Sequence, residues 1–255
     1  MESFFTLLSG PEWLAALCVG LVAGTVKGMV GFGVPLLLIS GLSLFMAPDL
    51  ALAGLILPAL ASNGMLAFRG GPAAIWAAIR RFRLFLICGG VMLFAAAQLV
   101  AVLPSAALLL LLGAAVACFS VLLLLAPRFV LREDNRLAAA CAGALAGFAG
   151  GFSGAWGAPT VSYLTAIGTD KRDQMRLQGV IYGLGSVSLL LAHLETGVLR
   201  GETLPLSAVL VLPVVLGMYL GGIWHTRVDQ AGFRRATLAL LVLAGLNLVR
   251  RGLLG

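Results

Sequence analysis

Six stretches of this 255-residue chain run for about one bilayer thickness with scarcely a charged residue: 50–68, 84–102, 105–126, 177–195, 205–224 and 236–249. A helix needs roughly 20 apolar residues to cross a hydrocarbon core, so each stretch reads as a span, the last being short. The apolar residues are continuous rather than alternating, which excludes an outer-membrane barrel. Hydrophobic residues make up 61% of the chain and charged residues 11%, against about 25% charged in a soluble domain. A soluble core of this size could not hide that apolar surface. The fold class is therefore all-α and polytopic, in the lipid bilayer.

Two further apolar regions, about 11–46 and 137–167, are too long for one ordinary span and too short for two. Each is interrupted by glycines and ends its interruption in proline. The first runs Ala23-Gly24-Thr25-Val26-Lys27-Gly28-Met29-Val30-Gly31-Phe32-Gly33-Val34-Pro35. The second runs Ala146-Gly147-Phe148-Ala149-Gly150-Gly151-Phe152-Ser153-Gly154-Ala155-Trp156-Gly157-Ala158-Pro159, with one extra residue. After each come a short apolar run, a polar turn and three spans. The chain reads as two repeats, 1–126 and 137–255, joined by a linker at 127–136. Paired glycine and proline breaks at corresponding places in two halves point to a transporter's binding site.

Charge gives the sidedness. If each broken segment crossed once, the Lys and Arg residues would divide 10 to 6 between the two faces, with Lys27 left inside the membrane. If each returns to its starting side, the loops 69–83, 127–136, 168–176 and 225–235 share one face and carry 13 basic residues. The other face keeps Arg200, Arg250 and Arg251. Basic loops favour the cytoplasm, so the second arrangement is preferred: inverted repeats, arginine-rich loops inside, both termini outside. A re-entrant hairpin and two short crossings satisfy this count equally. The net charge of +7 is thus an orientation signal and implies no nucleic-acid partner.

No Asp or Glu sits mid-span, which weakens a carboxylate-based cation site. The one intramembrane charge is Lys27, in the first break. Backbone N–H groups at the start of a helix's second half, the helix dipole and an ammonium together suit an anion. Glycines at 28, 31 and 33 would let it approach the amides. In the second break Gly151, Ser153, Gly154, Trp156 and Gly157 would offer amides, a hydroxyl and an indole N–H. The competing reading of the glycines is close helix packing, and that of Lys27 is snorkelling to the surface. Asn63 lies inside its span, and Gln178 and Tyr182 share a helix face; each either faces the pocket or bonds to another helix. His193 and Glu195 read as interfacial and His225 as solvated. Trp13, Trp76 and Trp224 fit an aromatic belt, whereas Trp156 does not. Residues 72–81 resemble an amphipathic surface helix whose arginines meet anionic lipid. Four dispersed cysteines imply neither a disulfide framework nor a metal, and no catalytic motif or cofactor signature appears.

The segment Lys27 to Pro35 and its second copy, Gly147 to Pro159, resemble the duplicated glycine-rich motif of the sulfite exporter TauE/SafE family, also called the toluene sulfonate uptake permease group. The resemblance spans essentially the whole chain, including the Pro48-Asp49 turn. It departs from the commonest form at Val34 and at the bulky Trp156. It implies a bacterial inner-membrane secondary carrier for a small sulfur-containing anion, sulfite or an organosulfonate, working by alternating access. A passive anion channel is the alternative. A membrane-embedded enzyme or assembly factor handling sulfur compounds is a third reading, disfavoured by the scarcity of buried acids and nucleophiles. Coupling to protons, to sodium or to neither, in either direction, is compatible with these residues, as is a homodimer through lipid-facing helices.

Overall fold

The computed structural model describes residues 8–68, 70–125, 131–154, 156–169, 171–224 and 230–254. Arg69, Arg128, Arg227 and His225, read above as loop residues, lie outside them. All regular structure among the described residues is helical. In chain order the helices are α1 (Gly10–Val30), α2 (Val34–Leu42), α3 (Pro48–Phe68), α4 (Gly71–Arg81), α5 (Arg83–Val102), α6 (Ser105–Leu125), α7 (Arg136–Ser153), α8 (Gly157–Ala166), α9 (Lys171–Glu195), α10 (Leu204–Trp224) and α11 (Gln230–Leu254). Among the described residues, six stretches are long and apolar enough to cross a bilayer: Gly10–Met29, Pro48–Phe68, Arg83–Val102, Ser105–Leu122, Arg176–Glu195 and Leu204–Ile223. The chain is a multi-pass membrane protein. Between α3 and α5, α4 exposes Trp76 and buries Ala78, as a helix lying at an interface would.

Each broken region is a long helix, a tight turn and a short helix. Ser9 opens α1, its N–H donating to Glu12 Oε2 at 2.7 Å. Asn135 opens α7, accepting from Ala138 N–H at 3.0 Å. Both helices stop in the same way. Gly31 and Gly154 adopt left-handed backbone, φ 83° and 67°, and donate their N–H groups to Lys27 O and Gly150 O, each at 2.8 Å. The unwound part is shorter than the glycine pattern suggests. Only residues 31–33 leave the helix in the first break, and the second lies between Ser153 and Gly157.

The upstream glycines pack helices together. A Cβ added to Gly24 would lie 2.1 Å from the Val214 carbonyl oxygen of α10, and one on Gly28 would lie 2.3 Å from that of Met218. On α7, a Cβ on Gly147 would lie 1.9 Å from the Gly89 oxygen of α5, and one on Gly151 would lie 2.4 Å from that of Leu93. These are small-xxx-small seams, in which missing side chains let backbones touch. They run in parallel: Gly20 meets Pro213, Gly24 meets Val214 and Gly28 meets Met218, while Gly143, Gly147 and Gly151 meet Phe85, Gly89 and Leu93.

Two other pairings are antiparallel. In α3 and α9, Ala67 packs on Gly179 and Asn63 on Ser186. In α6 and α11, Gly113 packs on Gly245, and Leu110 on Gly252. Further contacts join α3 to α10, α5 to α9, α2 to α11 and α6 to α8. Exchanging α1, α2, α3, α5 and α6 with α7, α8, α9, α10 and α11, in that order, turns each of these pairings into another member of the set or, for α3–α9 and α6–α11, into itself.

Pro58 interrupts the α3 ladder, since it cannot donate to Gly54 O. Ser207 of α10 repairs the gap, accepting from Leu57 N–H at 3.0 Å and donating to Gly54 O at 3.5 Å. This joins α3 to α10 where a bilayer offers no water to satisfy freed backbone groups.

Candidate anion site

Lys27 lies one turn before the glycine that ends α1, so its side chain is delivered to the first break. It is only 3% exposed. Its Nζ donates to Ser62 Oγ at 2.9 Å and to Asn63 Oδ1, both on α3. Asn63 Nδ2 donates to Ser186 Oγ of α9 at 2.8 Å, and Ser186 Oγ donates to the Tyr182 carbonyl at 2.8 Å. Tyr182 in turn donates its hydroxyl to Gly157 O, at 3.2 Å, in the second break. A buried polar chain thus runs from one break to the other across the α3–α9 contact. The breaks also touch directly, because a Cβ on Gly154 would lie 3.1 Å from the Pro35 Cβ.

Among the described residues, no group of opposite charge pairs with Lys27. The Lys27 partners are neutral oxygens, and the ion pairs among the described residues, Arg81–Glu133, Arg132–Asp134 and Arg200–Glu202, lie elsewhere at exposed positions. An ammonium carries three donors, so Lys27 has one left after Ser62 and Asn63. It lines a cavity of about 20 Å³ bounded by Asn63, Gly33, Gly154, Trp156, Gly157 and Tyr182, among others. Such a space holds about one water molecule. The first residues of α2 and α8 border it, so two helix N-termini add partial positive charge to that of Lys27.

Of the residues singled out from sequence, Lys27, Gly33, Asn63, Gly154, Trp156 and Gly157 meet at this cavity. Gly28 and Gly151 lie in the helix seams instead, as the packing alternative had it. Gly31 serves as the left-handed stop of α1. Ser153 turns its hydroxyl back onto Ala149 O at 2.6 Å, the usual habit of a helical serine. Gln178 is half-buried one turn from Tyr182 and does not line the cavity. His193, read as interfacial, is fully buried, with Nε2 2.7 Å from Gly151 O and Nδ1 3.2 Å from Thr196 Oγ1. Ser62 and Ser186 escaped the sequence reading. Extending the Gln178–Tyr182 face by one more turn reaches Ser186.

Asn63→Asp tests the electrostatic reading. It sets a carboxylate beside the ammonium, neutralising the cavity and repelling an incoming anion. Anion affinity should fall by about tenfold or more, since a charged hydrogen bond contributes about 1.5–3 kcal/mol. Titration of the purified variant checks this; unchanged affinity would mean that Lys27 and Asn63 do not face the ligand.

The family model described as Sulfite exporter TauE/SafE matches residues 16–248. No curated protein and no solved structure matches the chain.

Proposed function

The chain belongs to the sulfite exporter TauE/SafE family of membrane transporters, and on that footing we propose that it is a secondary carrier of a small anion, sulfite or an organosulfonate. The anion is held between the two breaks by Lys27, Asn63 and the backbone N–H groups of Gly33 and Gly157, with Gly154 and Trp156 as walls. The observation that carries this is the buried ammonium with two neutral partners beside a cavity. A charge buried in a membrane without a counter-charge is costly, and an anionic substrate supplies the missing partner. The donors fit an oxyanion, which accepts several N–H groups at once.

The exchange pattern of helix pairings supports two inverted repeats, 1–126 and 137–255. A two-fold axis in the membrane plane turns a helix antiparallel to its counterpart, whereas an axis along the normal leaves the two parallel. The antiparallel pairs α3–α9 and α6–α11 fit the first case. In this reading α1–α2 and α7–α8 are hairpins entering from opposite sides. The arginine-rich loops face the cytoplasm of a bacterial inner membrane, and both termini lie outside. A site too small for sulfite is a closed conformation, and alternating access opens it to each side in turn.

Proteoliposomes test the function. Labelled sulfite or a short sulfonate should enter, and the same unlabelled anion on the opposite side should accelerate it by exchange. Flux indifferent to the opposing anion would instead indicate a channel. Failure to move any sulfur oxyanion would overturn the proposal.

A further inference from the structure

Beside the anion site lies a second cavity of different chemistry. It occupies about 290 Å³ in the crevice between α5 and α9, with apolar walls from Phe85, Leu86, Leu93, Ile181 and Leu184. Trp156 borders both this cavity and the small polar one. It is itself only 4% exposed, so its indole forms the partition between them.

That partition lies against two glycines. The ring abuts Gly150, where a Cβ would come 2.6 Å from Trp156 Cε3. The ring also abuts Gly185, where a Cβ would lie 3.4 Å from Cδ2 and Cε2. Gly150 accepts the N–H that ends α7, just as Lys27 accepts the N–H that ends α1. The Trp156 ring therefore lies against the position that corresponds to Lys27 in the other half. Its backbone is tethered, since the Trp156 carbonyl accepts from Thr160 N–H at 3.3 Å and Thr160 Oγ1 at 2.8 Å. Movement is left to the side-chain torsions. Three other walls of the small cavity are pinned: Asn63 by Ser186, Tyr182 by Gly157 O and Pro35 by its contact with Gly154.

Given the anion site proposed above, on which this step rests, we infer that Trp156 is its gate and that the α5–α9 cavity is the space into which the indole swings. The site must grow beyond room for one water to take an oxyanion, and the partition adjoins the space this requires. A cavity near 300 Å³ is at the size at which pockets hold whole small molecules, enough for an indole. The swing leaves the anion with Lys27, Asn63 and the glycine backbone. Return of the ring closes the site again, so Trp156 also sets how large an anion can be enclosed.

The test fills the swing space without touching the anion site. Gly90 lines the apolar cavity, and a Cβ there would meet no atom within 4 Å. Gly90→Phe should lower the initial rate of sulfite or sulfonate transport in proteoliposomes by about tenfold or more, as expected when a gating step is obstructed. Gly90→Ala should lower it less. Gly222→Phe, at an exposed α10 position equally open around its Cβ, should stay within about twofold of the native chain, controlling for an added helix aromatic. Trp156→Ala, made in the Gly90→Phe chain, should restore transport and admit a bulkier sulfonate, because no ring then needs the space. A misfolded Gly90→Phe protein would not be rescued in this way.

Native transport by Gly90→Phe, or failure of Trp156→Ala to rescue a monodisperse Gly90→Phe protein, would overturn the gate. Lys27→Met, assayed alongside, separates the two claims. If it transports normally, the anion site itself is wrong; if it is inactive while Gly90→Phe is not, only the gate is.

Discussion

Lys27→Met is expected to abolish anion transport while leaving the protein as stable as the native chain, or more so. Methionine keeps the length and the apolar stem of lysine and removes the charge. Without the ammonium the cavity between the breaks loses its full positive charge, and an oxyanion keeps only helix ends and Asn63. The loss of one charged hydrogen bond, about 1.5–3 kcal/mol, lowers affinity by about 10- to 150-fold. The cost of carrying the ion across a less polar midplane adds to this. Stability moves the other way. Holding an ammonium away from water costs several kcal/mol, and replacing buried ionic groups with apolar ones of similar size is often neutral or stabilising by about 1–4 kcal/mol. Asn63 loses one donor and keeps Ser186, and Ser62 keeps the Ala59 carbonyl, which offsets part of the gain. Transport assays and thermal melts on one preparation decide the matter. A variant that melts far below the native chain would mark Lys27 as structural, and one that transports normally would remove it from the site.

The second large effect is mechanical. Gly147→Leu should prevent recovery of folded protein. Its Cβ would start 1.9 Å from the Gly89 carbonyl oxygen, a backbone atom that cannot turn aside. Helices α5 and α7 would have to separate along the seam, also breaking the fits at Gly143 and Gly151. Overpacking a buried site typically costs about 1–3 kcal/mol, and a backbone clash lies at or beyond the upper end. That is a large part of the roughly 5–15 kcal/mol that holds a folded domain together. Gly24→Leu, against the Val214 oxygen, should behave alike. Gly64→Ala meets nothing within 4 Å and should be neutral or stabilising by about 0.5–1 kcal/mol, because alanine favours a helix interior. Size-exclusion profiles and melting temperatures in detergent report all three. A Gly147→Leu protein that elutes and melts like the native chain would mean that α5 and α7 do not touch backbone to backbone.

What could be read from sequence depended on how many structures a pattern permits. The run 84–102 permits one: apolar on every face and a bilayer long, it is the helix α5. Residues 72–81 mix Trp76 and alanines with terminal arginines, and α4 has the two faces that this implies. Lys27 and Asn63 stood out because a charge or an amide inside an apolar run must find partners. The glycines were ambiguous, since the same residue type unwinds a helix or lets two helices touch. Spacing separates the two. Gly24 and Gly28, and Gly143, Gly147 and Gly151, recur every four residues along one helix face and pack. Gly31, Gly33 and Gly154 take positive φ and break. Ser62 carried no mark of its own, because a serine in a membrane helix bonds to its own backbone as readily as to a ligand's neighbour, whereas Ser186 stood one turn beyond the Gln178–Tyr182 face. The Trp156 setting was illegible for another reason: Gly150 and Gly185 lie far apart in the chain, and only folding brings both against one ring.

The most direct measurement of the anion site is a crystal of the native protein soaked in selenite, which matches sulfite in shape and charge and whose selenium scatters anomalously. The account predicts a selenium peak between the two breaks, within hydrogen-bonding reach of Lys27 Nζ and the Asn63 side chain, with Trp156 displaced toward α5 and α9. Selenium confined to the arginine-rich loops, with the space beside Lys27 unchanged, would contradict it.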